Sequence, residues 1–217
     1  MLSLRKLVLG FGALALLCTP AFAQGQGRGM GMMGGSPLMM FGNPSVQKEL
    51  KFTEEQTGKA QAAMTEIREA HQEEMAGLRD LEPAERATKM AALNKTITAE
   101  AIKALGLKEE QVKRFKQISL QVRRAQAFTD PDVIKDLKIT DDQKTKIQEL
   151  LADSRTKMQE IFQANQDDRA EAMKQITAYQ KEIGTKAMAL MTDDQKKAWK
   201  EMTGEPFEMV MAPRPNN

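Results

Sequence analysis

Apolar residues recur about every 3.5 positions from residue 41 onward, a spacing typical of amphipathic helices that pack along a narrow seam. One seam contains Ala60, Met64, Ile67, His71, Met75 and Leu78, and a later one contains Ile147, Leu151, Ser154, Met158 and Phe162. Each seam predicts a helix of about 25 residues, which is about 40 Å long at the standard rise per residue.

A second apolar stripe follows each seam after a polar break at residues 81–85 or 163–168. The two stripes contain Met90, Leu93, Ile97, Ala101 and Leu105, and Met173, Ile176, Ile183, Ala187 and Leu190. Short connections make neighbouring helices antiparallel, so each seam and its stripe predict a helical hairpin. With a short helix before each hairpin and another after it, the predicted fold is all-α, with elongated tandem hairpins and coiled-coil-like seams.

The chain contains an internal duplication. Residues 41–56 (FGNPSVQKELKFTEEQ) align without gaps on residues 128–143 (FTDPDVIKDLKITDDQ), an offset of 87, with 8 of 16 positions identical. Residues 107–118 align on residues 191–202 at an offset of 84. Self-similarity at this period indicates two copies of one structural unit. We place repeat 1 at residues 41–127 and repeat 2 at residues 128–210.

Threonine and glutamine spaced three residues apart mark the predicted helix starts. In a capping box the threonine hydroxyl accepts a bond from the third backbone N–H, and the glutamine side chain bonds back to the threonine N–H. Three predicted boxes pair Thr53 with Gln56, Thr140 with Gln143, and Thr192 with Gln195. In the fourth copy Lys108 stands in place of threonine before Gln111, which predicts a weaker start.

The first 23 residues are typical of a secretory signal peptide. Arg5 and Lys6 precede an apolar run, and Ala21 and Ala23 provide the small residues that predict cleavage after Ala23. A lipid anchor on Cys18 is the minor alternative. We therefore expect a bacterial protein that is periplasmic or secreted.

Two further segments have a composition that predicts little fixed structure. Residues 24–40 form a Gly/Met-rich tract without periodicity, interpreted as a flexible arm. Residues 211–217 are interpreted as a disordered tail.

After the signal peptide the chain carries 30 basic and 30 acidic residues, one histidine and no cysteine. The balance argues against a nucleic-acid-binding protein, and the missing cysteine excludes disulfides and thiol chemistry. No Ser-His-Asp set, phosphate-binding glycine loop or metal-ligand spacing occurs. No second apolar run is long enough to cross a membrane. We therefore expect no enzymatic activity, no cofactor and no membrane insertion after signal removal.

The segments LKFTEEQ, LGLKEEQ, LKITDDQ and LMTDDQ resemble the LTxxQ motif of the Spy/CpxP family of periplasmic proteins. The whole chain is also similar to secreted two-repeat proteins of planctomycetes that end in a TGEPF-like run and have no established activity. The resemblance implies an all-helical fold and an ATP-independent chaperone, or an accessory protein of envelope or metal stress. Members usually carry one motif pair and form dimers. Two pairs in one chain therefore predict a monomer with an internal pseudo-dimer, or a homodimer.

Three sets of residues are candidates for binding. A basic surface beside apolar groups is suited to holding unfolded or acidic polypeptides, and the candidates are Lys113, Arg114, Phe115, Lys116, Arg123 and Arg124. Thioethers select Cu(I), which makes a metal-stress role the alternative, with weak candidates at Met30, Met32, Met33, Met39 and Met40. His71 aligns with Met158, so we interpret it as a packing or partly exposed residue. An envelope spacer without a ligand is the third possibility.

Overall fold

The computed structural model describes residues 35–210, apart from the side chains at positions 83 and 84. The fold is all-α, and no strand occurs within this range. Repeat 1 contains α1 (Pro37–Phe41), α2 (Pro44–Glu49), α3 (Glu54–Ala70), α4 (Gln72–Gly77), α5 (Pro83–Ala104) and α6 (Glu109–Arg123). Repeat 2 contains α7 (Pro131–Asp136), α8 (Asp141–Ala164), α9 (Arg169–Ala189) and α10 (Asp193–Thr203). Two 3₁₀ segments, Leu78–Asp80 and Arg124–Thr129, complete the described elements.

Each repeat has its own buried core at a helical hairpin. Hairpin 1 is formed by α3, α4 and α5, and hairpin 2 by α8 and α9. Along the second helices the repeats match at an offset of 86, which aligns Ile97 with Ile183 and Ala101 with Ala187. All four side chains are buried. The predicted duplication is therefore visible in the packing of both hairpins.

The flexible-arm prediction is wrong for residues 37–40. They belong to α1, which begins at Pro37 and packs into hairpin 1. Leu38, Met40 and Phe41 are buried. They cover apolar surface of the hairpin that would otherwise be exposed to water, which stabilises the fold. In repeat 2 the same place is taken by the 3₁₀ segment Arg124–Thr129, which packs on α8 and α9. Residues 24–34 lie outside the described residues, as do the signal peptide and the predicted tail.

In each repeat an aromatic pair joins the segment before the hairpin to the helix after it, which is α6 in repeat 1 and α10 in repeat 2. The rings of Phe41 and Phe115 stack with centroids 3.8 Å apart and planes 8° apart. Their counterparts, Phe128 and Trp199, lie 4.5 Å apart and are tilted by 48°. Because both pairs join aligned positions, the alignments at offsets 87 and 84 describe the same three-dimensional unit.

The helix predicted from the first seam is interrupted at His71. Helix α3 ends at Ala70, and α4 begins at Gln72. His71 between them has φ −105° and ψ 12°, outside the helical range. The predicted length of about 25 residues is thus wrong for repeat 1, whereas α8 runs unbroken for 24 residues. At the position of His71, α8 carries Met158, whose side chain has no charge to pair.

The segment that follows α10 leaves repeat 2 and packs on repeat 1. After α10, Gly204 adopts φ 63° and ψ −150°, a conformation that only glycine tolerates well and not the left-handed helical cap typical of this position. Residues 205–210 then run without helix to repeat 1, where Phe207 and Met209 pack against its core. We call residues 205–210 the strap. It corrects the predicted end of repeat 2 at residue 210.

Within residues 35–210, no helix has both the length and the apolar character needed to cross a membrane.

Candidate binding surface

The glutamines of the four motifs meet in two pairs. Gln56 Nε2 donates to Gln111 Oε1 at 3.1 Å, and Gln111 Nε2 donates back to Gln56 Oε1 at 3.0 Å. In repeat 2 the corresponding bonds between Gln143 and Gln195 are 2.7 and 3.0 Å. Each pair ties the start of a hairpin to the start of the third helix of the same repeat.

Each glutamine also completes its own helix start. Gln56 Oε1 accepts the backbone N–H of Thr53 at 3.0 Å, and the Thr53 hydroxyl accepts from the Gln56 N–H at 3.2 Å. The boxes at residues 140–143 and 192–195 have the same two bonds. At the fourth start, Gln111 Oε1 accepts from the Lys108 N–H at 2.9 Å, while the lysine side chain has no acceptor for the return bond.

Free amide hydrogens of the glutamines go to backbone carbonyls. Gln111 donates to Leu50 O at 2.9 Å, and Gln143 donates to Leu190 O at 2.8 Å. The four motifs thus use their polar groups inside the fold, where a buried amide without partners would be costly. In this protein the motif links helices to one another through hydrogen bonds, and few amide groups of the glutamines are left to bind a ligand.

The predicted client surface on α6 is wrong in its apolar part. Phe115 has an exposed fraction of 2 %, and Ile118 is fully buried. Both side chains pack within the core of repeat 1, because the apolar face of α6 covers the segment that precedes hairpin 1. An unfolded chain has no access to Phe115.

Most of the predicted basic residues on α6 have partners within the chain. Arg114 Nε donates to Glu49 Oε1 at 2.8 Å, and Arg123 Nη1 donates to Asp130 Oδ2 at 2.8 Å. Arg124 Nη1 donates to Gln180 Oε1 at 3.1 Å. Lys113 and Lys116 are exposed. Arg114 thus joins α6 to α2 within repeat 1, whereas Arg123 and Arg124, which lie at the end of α6 and the start of the following 3₁₀ segment, contact repeat 2.

His71 forms a polar contact across hairpin 1. Its Nε2 lies 2.8 Å from Glu100 Oε2 on α5, and its Nδ1 lies 3.3 Å from Glu74 Oε2 on α4. The hydrogen bond with Glu100 raises the pKa of His71 against the opposing effect of partial burial, and Glu74 adds to the rise. The imidazole has an exposed fraction of 14 %. It packs in the seam, as expected, and also holds α3 to α5.

The methionine candidates for Cu(I) lie partly inside the described range. The prediction of Met40 as a Cu(I) ligand is wrong, because its side chain is fully buried in the core of repeat 1. Met39 is half-buried. Met30, Met32 and Met33 lie outside the described residues. Within residues 35–210, no cluster of three or more His, Cys, Asp or Glu side chains is placed to hold a metal ion.

The far end of hairpin 2 has an apolar surface that the core does not cover. We call it the distal seam; it consists of Met158, Ile161, Phe162, Met173 and Ile176. Met173 has an exposed fraction of 42 %, and the other four are half-buried. None of the five packs against the core of repeat 2.

The antiparallel pairing brings the members of the distal seam together. Gln180 Nε2 lies 3.7 Å from Met158 Sδ, which fixes α9 against α8 at this level. One helical turn further out, Phe162 on α8 therefore lies near Ile176 on α9. Methionine and aromatic side chains are suited to contacts with varied apolar partners.

The corresponding end of hairpin 1 is packed differently. Leu78 is buried, and Met75, Leu81 and Met90 pack against the core of repeat 1. Arg86 closes the connection by donating from Nη2 to the carbonyls of Arg79 and Leu81 at 3.0 and 2.6 Å. A cavity of about 320 Å³ remains there, lined by Glu74, Gly77, Leu78, Leu81 and Lys89. Met75, Leu81 and Met90 are half-buried like four of the distal-seam residues, but they pack against their core, and hairpin 1 carries Ala87 at the place of the exposed Met173.

Sequence reasoning placed four of the five distal-seam residues on apolar stripes and missed Ile161. The signal for Ile161 is its position beside Phe162, which widens the apolar stripe at the end of α8. Whether such a stripe is covered depends on packing with residues distant in sequence. The local pattern of apolar residues does not reveal that packing.

Comparison with known proteins gives no match: no protein-family model fits the chain, and no curated protein or solved structure is significantly similar to it.

Proposed function

We propose that this protein is an exported, non-catalytic binding protein that holds unfolded polypeptides without ATP, in the manner of a periplasmic chaperone. The distal seam of hairpin 2 carries the proposal. It presents the exposed Met173 beside four half-buried apolar side chains on a capped helical scaffold, and such a cluster on an otherwise polar helical surface is suited to an interaction site.

The chemistry of the surface favours an apolar partner of variable sequence. Met158 and Met173 have flexible thioether side chains, and Phe162 adds a large apolar face. The neighbouring charges are mixed, with Lys157 and Glu160 paired at 3.0 Å. Nothing in this set selects one particular polar ligand, which fits clients that share only exposed apolar side chains.

The chain offers a matched pair of variants to test the proposal. Met173 on α9 aligns with Ala87 on α5, and both positions are exposed. In Met173→Lys a charge is placed in the distal seam, whereas Ala87→Lys puts the same charge at the equivalent position of hairpin 1. Lysine is well tolerated in helices, so both variants should fold.

The measurement is aggregation of a chemically unfolded test protein mixed at equal molar ratio with residues 24–217, without ATP and at two salt concentrations. We expect wild type and Ala87→Lys to suppress aggregation equally, and Met173→Lys to suppress it several-fold less. Protection should persist at high salt, because apolar contact is not screened. Absence of protection by wild type, or equal protection by both variants, contradicts the proposal.

A further inference from the structure

The strap fills a groove on repeat 1 in this structure. The groove lies between α2 and α6. Four side chains on these helices make six hydrogen bonds to the end of the chain, and they are Asn43, Ser45, Arg114 and Gln121.

Every one of these bonds goes to a backbone atom. Gln121 Oε1 accepts the Phe207 N–H at 2.7 Å, and Gln121 Nε2 donates to Thr203 O and Glu205 O at 2.7 and 2.8 Å. Arg114 Nη1 also donates to Glu205 O, at 2.9 Å. Recognition through the backbone does not depend on the sequence of the bound segment.

The far end of the strap is held in the same way. Ser45 Oγ accepts the Val210 N–H at 3.1 Å, and Asn43 Nδ2 donates to Val210 O at 2.9 Å. Between the two anchoring points the side chains alternate, with Phe207 and Met209 packed on the core and Glu208 and Val210 exposed. The groove thus holds an extended segment with apolar side chains at every second position.

The groove has no equivalent in repeat 2. Asn43 and Ser45 align with Asp130 and Asp132, and a carboxylate cannot donate to a peptide carbonyl. Asp130 accepts instead from Arg123, and Asp132 forms an ion pair with Lys95 at 2.8 Å. The amide donor that Asn43 offers to a peptide carbonyl therefore has no counterpart at Asp130 among the described residues of repeat 2.

We propose that the groove between α2 and α6 binds extended segments of unfolded polypeptides, and that the strap occupies it until such a segment displaces it. The choice of ligand rests on the proposed function, but the groove itself does not include the distal seam. The strap has no helix, and Phe207 and Met209 are only half-buried, which is typical of segments that open locally, so the strap is suited to exchange with a ligand.

The test uses a fluorescent peptide with the sequence of residues 205–210, EPFEMV, titrated into residues 24–217. Wild type is compared with Phe207→Ser/Met209→Ser, which loosens the strap in the full-length chain, and with a chain that ends at Gly204. If the strap is open for about 1–10 % of the time, removing its competition tightens peptide binding about 10–100-fold. A peptide with serine in place of both apolar residues should bind neither variant.

Two outcomes overturn the proposal. One is peptide binding that is no tighter to the loosened or shortened chain than to wild type. The other is unchanged binding when Gln121→Ala is added to the loosened chain. If light scattering shows that the loosened chain fills its groove by forming a dimer, the occupant is a second copy rather than a client. Met173→Lys should bind the peptide as wild type does, so loss of aggregation suppression alone leaves this groove intact.

Discussion

The two hairpins derive from one repeated unit, yet they differ at their far ends. In hairpin 1 the first helix is interrupted at His71, and the apolar side chains beyond it pack against the core. In hairpin 2 the first helix is unbroken, and the distal seam beyond Met158 lies outside the core. The two ends thus differ in whether their apolar side chains pack against the core of their own repeat, and in Met173, which is exposed where hairpin 1 has Ala87.

One pair of aligned positions makes different contacts in the two hairpins. His71 bonds to Glu100 across hairpin 1 at 2.8 Å. The aligned residues in hairpin 2 are Met158 and Lys186, and Lys186 pairs with Glu182 of its own helix. Hairpin 2 therefore lacks the histidine–carboxylate hydrogen bond that links the helices of hairpin 1 at this level. Its methionine makes a longer polar contact instead, with Gln180 Nε2 3.7 Å from Met158 Sδ.

The largest expected effect concerns the aromatic pairs. Phe115→Ala should lower the free energy of unfolding by about 3–5 kcal/mol, because it leaves a cavity beside Phe41. Trp199→Ala should cost less, since Trp199 is only half-buried. Chemical denaturation of both variants measures the difference. Equal losses would show that the two cores are equivalent, which contradicts the comparison.

The next effect concerns the glutamine pairs. Gln143→Ala removes one half of a capping box and takes away one of the partners of the buried Gln195 amide, which should cost about 2 kcal/mol. Gln56→Ala should cost less, because the Gln56–Gln111 pair is only partly buried and its bonds are longer. The same denaturation experiment gives both values. A larger loss of unfolding free energy for Gln56→Ala than for Gln143→Ala would contradict the prediction that the pair in repeat 2 contributes more.

The smallest effect is a pH dependence confined to hairpin 1. The pKa of His71 is raised in the folded chain, chiefly by its hydrogen bond with Glu100. The stabilisation is therefore complete below the unfolded pKa of about 6.5 and is lost as the pH rises through the folded pKa. His71→Met, which copies repeat 2, should remove this pH dependence. Parallel pH profiles of unfolding for wild type and variant would contradict it.

The repeats, the hairpins and the helix starts were predictable because they depend on local signals. Thr53 and Gln56, for example, are three residues apart and specify a helix start by themselves. The two-repeat alignment located Phe115 and Trp199 at equivalent positions before any packing was known.

The features that differ between the repeats were not predictable in this way. Met40 belongs to a glycine-rich tract and is buried only because hairpin 1 offers it a place. The strap is held by Gln121, which lies 86 positions from Phe207. Phe115 was assigned to a client surface because a single helix does not reveal which of its faces another segment covers.

The central claim is that unfolded polypeptides contact the open end of hairpin 2 and not the matching end of hairpin 1. A photoreactive side chain at position 173, or at position 87 in a second preparation, tests it directly in the presence of an unfolded test protein. The account predicts strong crosslinking from position 173 and little from position 87. Equal crosslinking from both positions, or none from position 173, would contradict it.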